Sequence, residues 1–67
     1  MRYKVGDAIK LNNAKYLRNG AFGEIIEVLP KRRSQPKTYK VKFEFSESIY
    51  VVDAQDLEFL KKFLAAS

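Results

Sequence analysis

The chain contains no cysteine and no histidine among its 67 residues. Without cysteine, neither a disulfide nor a thiolate-held metal can staple it. Without histidine, the commonest metal ligand and the commonest general base are both missing. Apolar runs reach only four residues, too short for a membrane-spanning helix. The start, "MRYKVGD", lacks the apolar stretch of a secretory signal. The expectation is a soluble, cytoplasmic protein. Its three glycines, Gly6, Gly20 and Gly23, form neither G-x-G-x-x-G nor a P-loop. No D-x-D-x-D-G loop is present to hold a divalent cation. Ser34, Ser46, Ser48 and Ser67 have no histidine to activate them, so a nucleophile would need Lys or a carboxylate as its base. No cofactor, metal or catalytic residue is expected.

What remains must fold by packing. A chain this short buries about 60% of its unfolded surface and makes one domain. Here 46% of residues are apolar or aromatic, enough for one small core. The expected domain covers residues 1–67, with its core at about 5–60 and a tail at 61–67. Charge is divided unevenly. Residues 1–43 carry a net of +8 and residues 44–67 a net of −3. The basic part suits an anionic partner, and the acidic end does not.

Periodicity along the chain is that of strands. "VGDAIKLN" places Val5, Ile9 and Leu11 on one side, with Asp7 and Lys10 on the other. Asn19-Gly20 marks a turn, because both residues tolerate positive φ. "FGEIIEVL" is a second strand whose Ile25-Ile26 pair breaks alternation, as a bulge does. Pro30 ends it, since proline cannot donate to a ladder. In "TYKVKFEF", Tyr39, Val41, Phe43 and Phe45 point one way, with Lys40, Lys42 and Glu44 the other. Ser46–Ser48 turns the chain into a fourth strand, "IYVV". In "DAQDLEFLKKFL", Asp53 is a candidate helix cap and the leucines have helical spacing. The reading adopted is a helical turn at Ala54–Asp56, a closing strand at Leu57–Leu60 and a partly helical tail. Four or five short strands in so few residues fit a small bent barrel, where closure hides the edges. The fold class is all-β.

"VGDAIKL", "GAFGEIIEV", "YKVKFE" and "DLEFL" together resemble the SH3-like barrel superfamily, especially its KOW and Tudor-type members. The likeness rests on Gly6-Asp7-Ala8-Ile9, Gly23 to Val28, Tyr39 to Phe43 and Asp56-Leu57-Glu58. It spans Val5 to Leu60 and implies the fold far more firmly than the function, since such barrels bind many classes of partner. Ser48-Ile49-Tyr50 lies where type II dihydrofolate reductases, which are tetrameric, carry a pore-lining Gln-Ile-Tyr run. The missing Gln argues against that activity. A Tudor-like aromatic cage of Tyr16, Phe22, Phe45 and Tyr50 would take a basic peptide, which the surrounding cations oppose.

The remaining candidate is a basic surface. Lys31, Arg32, Arg33 and Lys37 occupy one loop, "LPKRRSQPK", with no acid among them. Lys40 and Lys42 continue along the outward face of the next strand, about 7 Å apart, near the phosphate spacing of nucleic acid. Lys10, Lys15 and Arg18 are possible extensions, and Tyr16 is the candidate for stacking on a base. Each has a plainer reading: edge lysines discourage strand addition, and Tyr16 suits a half-buried site. The reading favoured is a non-catalytic nucleic-acid-binding module, with the resemblance to KOW members inclining it to single-stranded or structured RNA. The alternative is a module docking on an acidic protein surface, of a kind encoded by a phage or other mobile element.

Overall fold

The computed structural model describes residues 2–62. Five strands follow one another: β1 (Asp7–Leu11), β2 (Phe22–Val28), β3 (Thr38–Phe43), β4 (Ile49–Asp53) and β5 (Leu57–Lys62). A single 3-10 turn, Ala54–Asp56, separates β4 from β5. All neighbours are antiparallel, in the order β4-β3-β2-β1-β5. The two edge strands are thus joined by three residues, which draws the ends of the sheet to one corner. Its inner face is correspondingly wrapped around one core. Ile9 and Leu11, Ile25, Tyr39, Val41 and Phe43, Val52 and Leu57 enter that core from all five strands. The chain is all-β and barrel-like.

Alternation on β3 places Tyr39, Val41 and Phe43 inside, with Lys40 and Lys42 outside. Phe45 lies beyond the strand and stacks on Phe43 with ring centroids 5.3 Å apart. The Ile25-Ile26 irregularity is a register shift between Ile25 and Glu27. It leaves Ile25 fully buried and turns Ile26 outward. Gly23 sits where β2 crosses β3 closely. A Cβ there would meet the Lys42 carbonyl at 2.9 Å and Phe43 Cδ1 at 2.8 Å.

Several expectations need correction. Val5 is exposed and Asp7 is buried, the reverse of the sides expected for them; the period of two puts Asp7 on the face of Ile9 and Leu11, where it lies. The chain turns at Gly6 (φ +95°), and the Asp7 carboxylate accepts the Lys4 amide hydrogen at 2.8 Å. The side chain has a partner, which makes its burial tolerable. The core also begins earlier than residue 5, because Tyr3 is buried in it. At the other end β5 continues through Lys62, two residues past the expected strand. The helical tail falls on residues 61–67: positions 61 and 62 are strand, and the rest lies outside the described residues.

Candidate functional site

Tyr3 positions the site. Its amide donates to the Tyr39 hydroxyl at 3.0 Å, and its own hydroxyl donates to the Leu57 carbonyl at 3.0 Å. The two tyrosine rings meet edge to face, 5.3 Å between centroids. Burial raises the Tyr3 phenol above its ordinary pKa, helped by the nearby Tyr39 and by the charges of Glu58 and Asp7. With Tyr3 pinned inward, its neighbours Arg2 and Lys4 are left exposed.

Across from them lies the basic loop. The Lys37 ammonium donates to the Leu29 carbonyl at 2.7 Å and stands 5.7 Å from the Tyr39 ring centroid. That bond draws the two feet of the loop together. Lys31 donates to the Arg32 carbonyl at 3.0 Å, and a turn from Arg32 to Gln35 forms the loop tip. Between loop and N-terminal segment is a groove of about 420 Å³. Arg2, Lys4, Lys31 and Lys37 line it, Tyr3, Tyr39 and Val28 complete it, and no acid takes part. Four like charges around one groove raise the local potential and favour an anion there.

The other sequence-derived candidates are elsewhere. Arg32 and Arg33 are exposed beyond the groove-lining residues. Lys40 pairs with Glu27 at 3.3 Å, across the β2–β3 register. Lys42 pairs with Glu47 at 3.5 Å and donates to the Ser46 carbonyl. Lys15 stands 3.7 Å from the Asp56 carboxylate, and the Arg18 guanidinium lies over the Phe45 ring. The Tyr16 hydroxyl donates to Asp56 at 2.7 Å. The structure thus joins Lys31 and Lys37 to Arg2 and Lys4, and balances the outward lysines of β3 with carboxylates. Arg2 and Lys4 had no signal of their own in the sequence. Only the burial of Tyr3 between them gives them a place. Among the described residues, no group of three or more acids is arranged to hold a metal ion. No helix there is long and apolar enough to cross a membrane.

Comparison with models of protein families, with curated proteins and with solved structures finds no match to this chain.

Proposed function

We propose that this chain is a non-catalytic module that holds nucleic acid by its phosphates, in the groove between the N-terminal segment and the Lys31–Lys37 loop. One observation carries the reading: Arg2, Lys4, Lys31 and Lys37 converge on a single groove from which acids are absent. Arg32 and Arg33 extend the positive surface toward the loop tip. The strand order and the 3-10 turn before β5 support reading the fold as an SH3-like barrel of the KOW or Tudor kind. Tyr3 and Tyr39 are buried beneath the cations and leave no ring face free for a base. Contact is therefore with the backbone, and binding is insensitive to base sequence.

The test is anisotropy titration of the full chain against a labelled duplex and a labelled single strand of mixed sequence. Neutralising about five phosphates gives a slope of log K against log[salt] near −4. The Arg2→Ala, Lys31→Ala double variant should lose about tenfold or more in affinity and about two units of that slope. Unchanged affinity and slope in that variant would falsify the site. A wild-type chain that ignores both nucleic acids but binds polyglutamate would favour the acidic-protein reading instead.

A further inference from the structure

The Asn19-Gly20 turn takes no part in the basic groove. Asn12, Asn13 and Asn19 are the asparagines of the chain, and only Asn19 precedes a glycine. With no Cβ beside it, a glycine nitrogen is the least hindered backbone nucleophile toward the preceding side-chain amide. Asn19 is exposed, so water and hydroxide reach it. The chemistry available is intramolecular. The Gly20 nitrogen gives up its proton and attacks Asn19 Cγ; the bond from Cγ to the side-chain nitrogen breaks and ammonia leaves. Water then opens the five-membered imide at either carbonyl, leaving aspartate or isoaspartate.

The folded chain opposes the first of these steps. The Ala21 amide donates to the Arg18 carbonyl at 3.0 Å, closing a turn with Asn19 and Gly20 at its centre. Gly20 has a φ of +96°, and Asn19 has no positive φ. That combination is a type II turn, in which ψ of the first central residue, here Asn19, is about +120°. Imide closure needs the opposite sign of ψ, so the peptide plane between residues 19 and 20 must flip. Two bonds resist the flip: the Gly20 N–H donates to the Leu11 carbonyl at 2.7 Å, and Asn19 Oδ1 accepts the Asn13 amide at 2.8 Å. Asn13 is held in its turn by Asp56. That carboxylate accepts from the Asn13 side chain at 2.6 Å and from the Tyr16 hydroxyl at 2.7 Å.

We propose that Asn19 is a site of self-modification, converted by the Gly20 nitrogen with loss of ammonia, and that Asp56 and Tyr16 hold it closed in the folded chain. Conversion requires the connection between β1 and β2 to open locally. The amide is not regained afterwards, because the nitrogen has left. Isoaspartate also adds one carbon to the main chain between residues 19 and 20, which displaces Gly20 from Leu11. The converted fraction therefore records the time the connection has spent open. This goes beyond the nucleic-acid reading and does not depend on it.

Peptide mapping by mass spectrometry, on the full chain incubated at mildly alkaline pH, tests the proposal. Each conversion adds about 1 Da, and enzymatic methylation counts the isoaspartate. In concentrated urea, Asn19 should convert faster than Asn12 or Asn13 and at least about tenfold faster than in the folded chain. Tyr16→Phe, assayed where its melt shows it folded, should convert Asn19 at least about fivefold faster than folded wild type. Ile25→Val is the control. Ile25 is fully buried at the Gly6 end of β2, where its carbonyl accepts the Gly6 amide, away from Asp56. Its loss of stability should leave the Asn19 rate within about twofold of wild type. Conversion as fast in the folded chain as in urea, or no faster in Tyr16→Phe than in wild type, overturns the inference. So does equal acceleration in Tyr16→Phe and Ile25→Val, which would make global unfolding the gate.

Discussion

The Tyr16 hydroxyl donates a 2.7 Å hydrogen bond to the carboxylate of Asp56, 40 residues further along the chain. The same carboxylate accepts from the Asn13 side chain at 2.6 Å, and the Asp56 carbonyl accepts the Asn12 amide at 2.7 Å. Asp56 is 1% exposed. It fastens the long β1–β2 connection to the turn that begins β5. These donors hold the Asp56 carboxyl below its ordinary pKa, Asn13 first and Tyr16 next, against the opposing effect of burial.

Removing that carboxylate leaves Asn13 and Tyr16 without an acceptor. Asp56→Ala is expected to cost about 3 kcal/mol, a large part of what a domain this size possesses. Asp56→Asn, which keeps one acceptor, should cost less. Because the folded pKa is depressed, the contribution is complete above the unfolded carboxylate value of about 3.9 and is lost as pH falls below it toward the folded value. Urea melts between pH 3 and pH 7 (roughly, the span of carboxylate titration) check this. Wild type should weaken at the acid end more steeply than Asp56→Asn. Parallel curves would remove Asp56 from its place as the fastening.

Tyr16 is the other half of the relationship. Its hydrogen bond to Asp56, then burial and the charge of Asp56, push its phenol up to about 12. The phenol keeps its proton longer in the folded chain than in the unfolded one. Its contribution is therefore full below about pH 10 and lost as pH rises from there toward 12. Tyr16→Phe should cost about 1–2 kcal/mol at neutral pH and abolish that alkaline loss. It should leave nucleic-acid affinity unchanged, since Tyr16 does not line the basic groove. A marked fall in affinity with the melt intact would return Tyr16 to the binding surface as a stacking residue.

Gly23 allows a sharper prediction. A methyl group at this position would approach the Lys42 carbonyl oxygen to 2.9 Å and Val41 Cγ1 to 3.0 Å. The carbonyl belongs to the paired β3 backbone and cannot step aside without breaking the ladder. Gly23→Ala is expected to destabilise by about 2–3 kcal/mol. At Gly20 the constraint differs: the space is open but φ is +96°, so Ala there is strained by its own backbone. A Gly23→Ala chain that melts with wild type would mean β2 and β3 do not cross so closely.

Strand content was legible in the sequence because its cause is local. The Tyr39, Val41, Phe43 alternation and the doubled isoleucine at 25 and 26 are read directly from spacing. The 3-10 turn was also visible, from Asp53 and Asp56 bracketing two small or polar residues. The basic groove is only half visible in the sequence. Lys31 and Lys37 announce themselves by density of charge, whereas Arg2 and Lys4 reach the groove through Tyr3, which bonds to residues 36 and 54 positions away. No local pattern encodes such contacts. Lys40 and Lys42 were correctly placed outside, but their carboxylate partners depend on cross-strand register and on the Glu47 turn. Spacing alone puts Asp7 inside with Ile9 and Leu11, and only its charge argues for the outside; the Lys4 amide that satisfies it depends on the turn at Gly6, which also takes Val5 out of the strand.

That distinction among the lysines gives the last test. Lys40 and Lys42 hold exposed ion pairs, which contribute little, about 0–1 kcal/mol each. Lys40→Ala, Lys42→Ala should therefore melt close to wild type. Its nucleic-acid affinity should fall only by the general loss of two charges, about threefold at moderate salt. Arg2→Ala, Lys31→Ala removes the same charge from the groove itself and should lose substantially more. Both variants have equal net charge, so the comparison cancels long-range attraction and isolates position. Equal losses in the two would mean that nucleic acid responds to the charge of the whole chain, and the groove would have no special part in holding it.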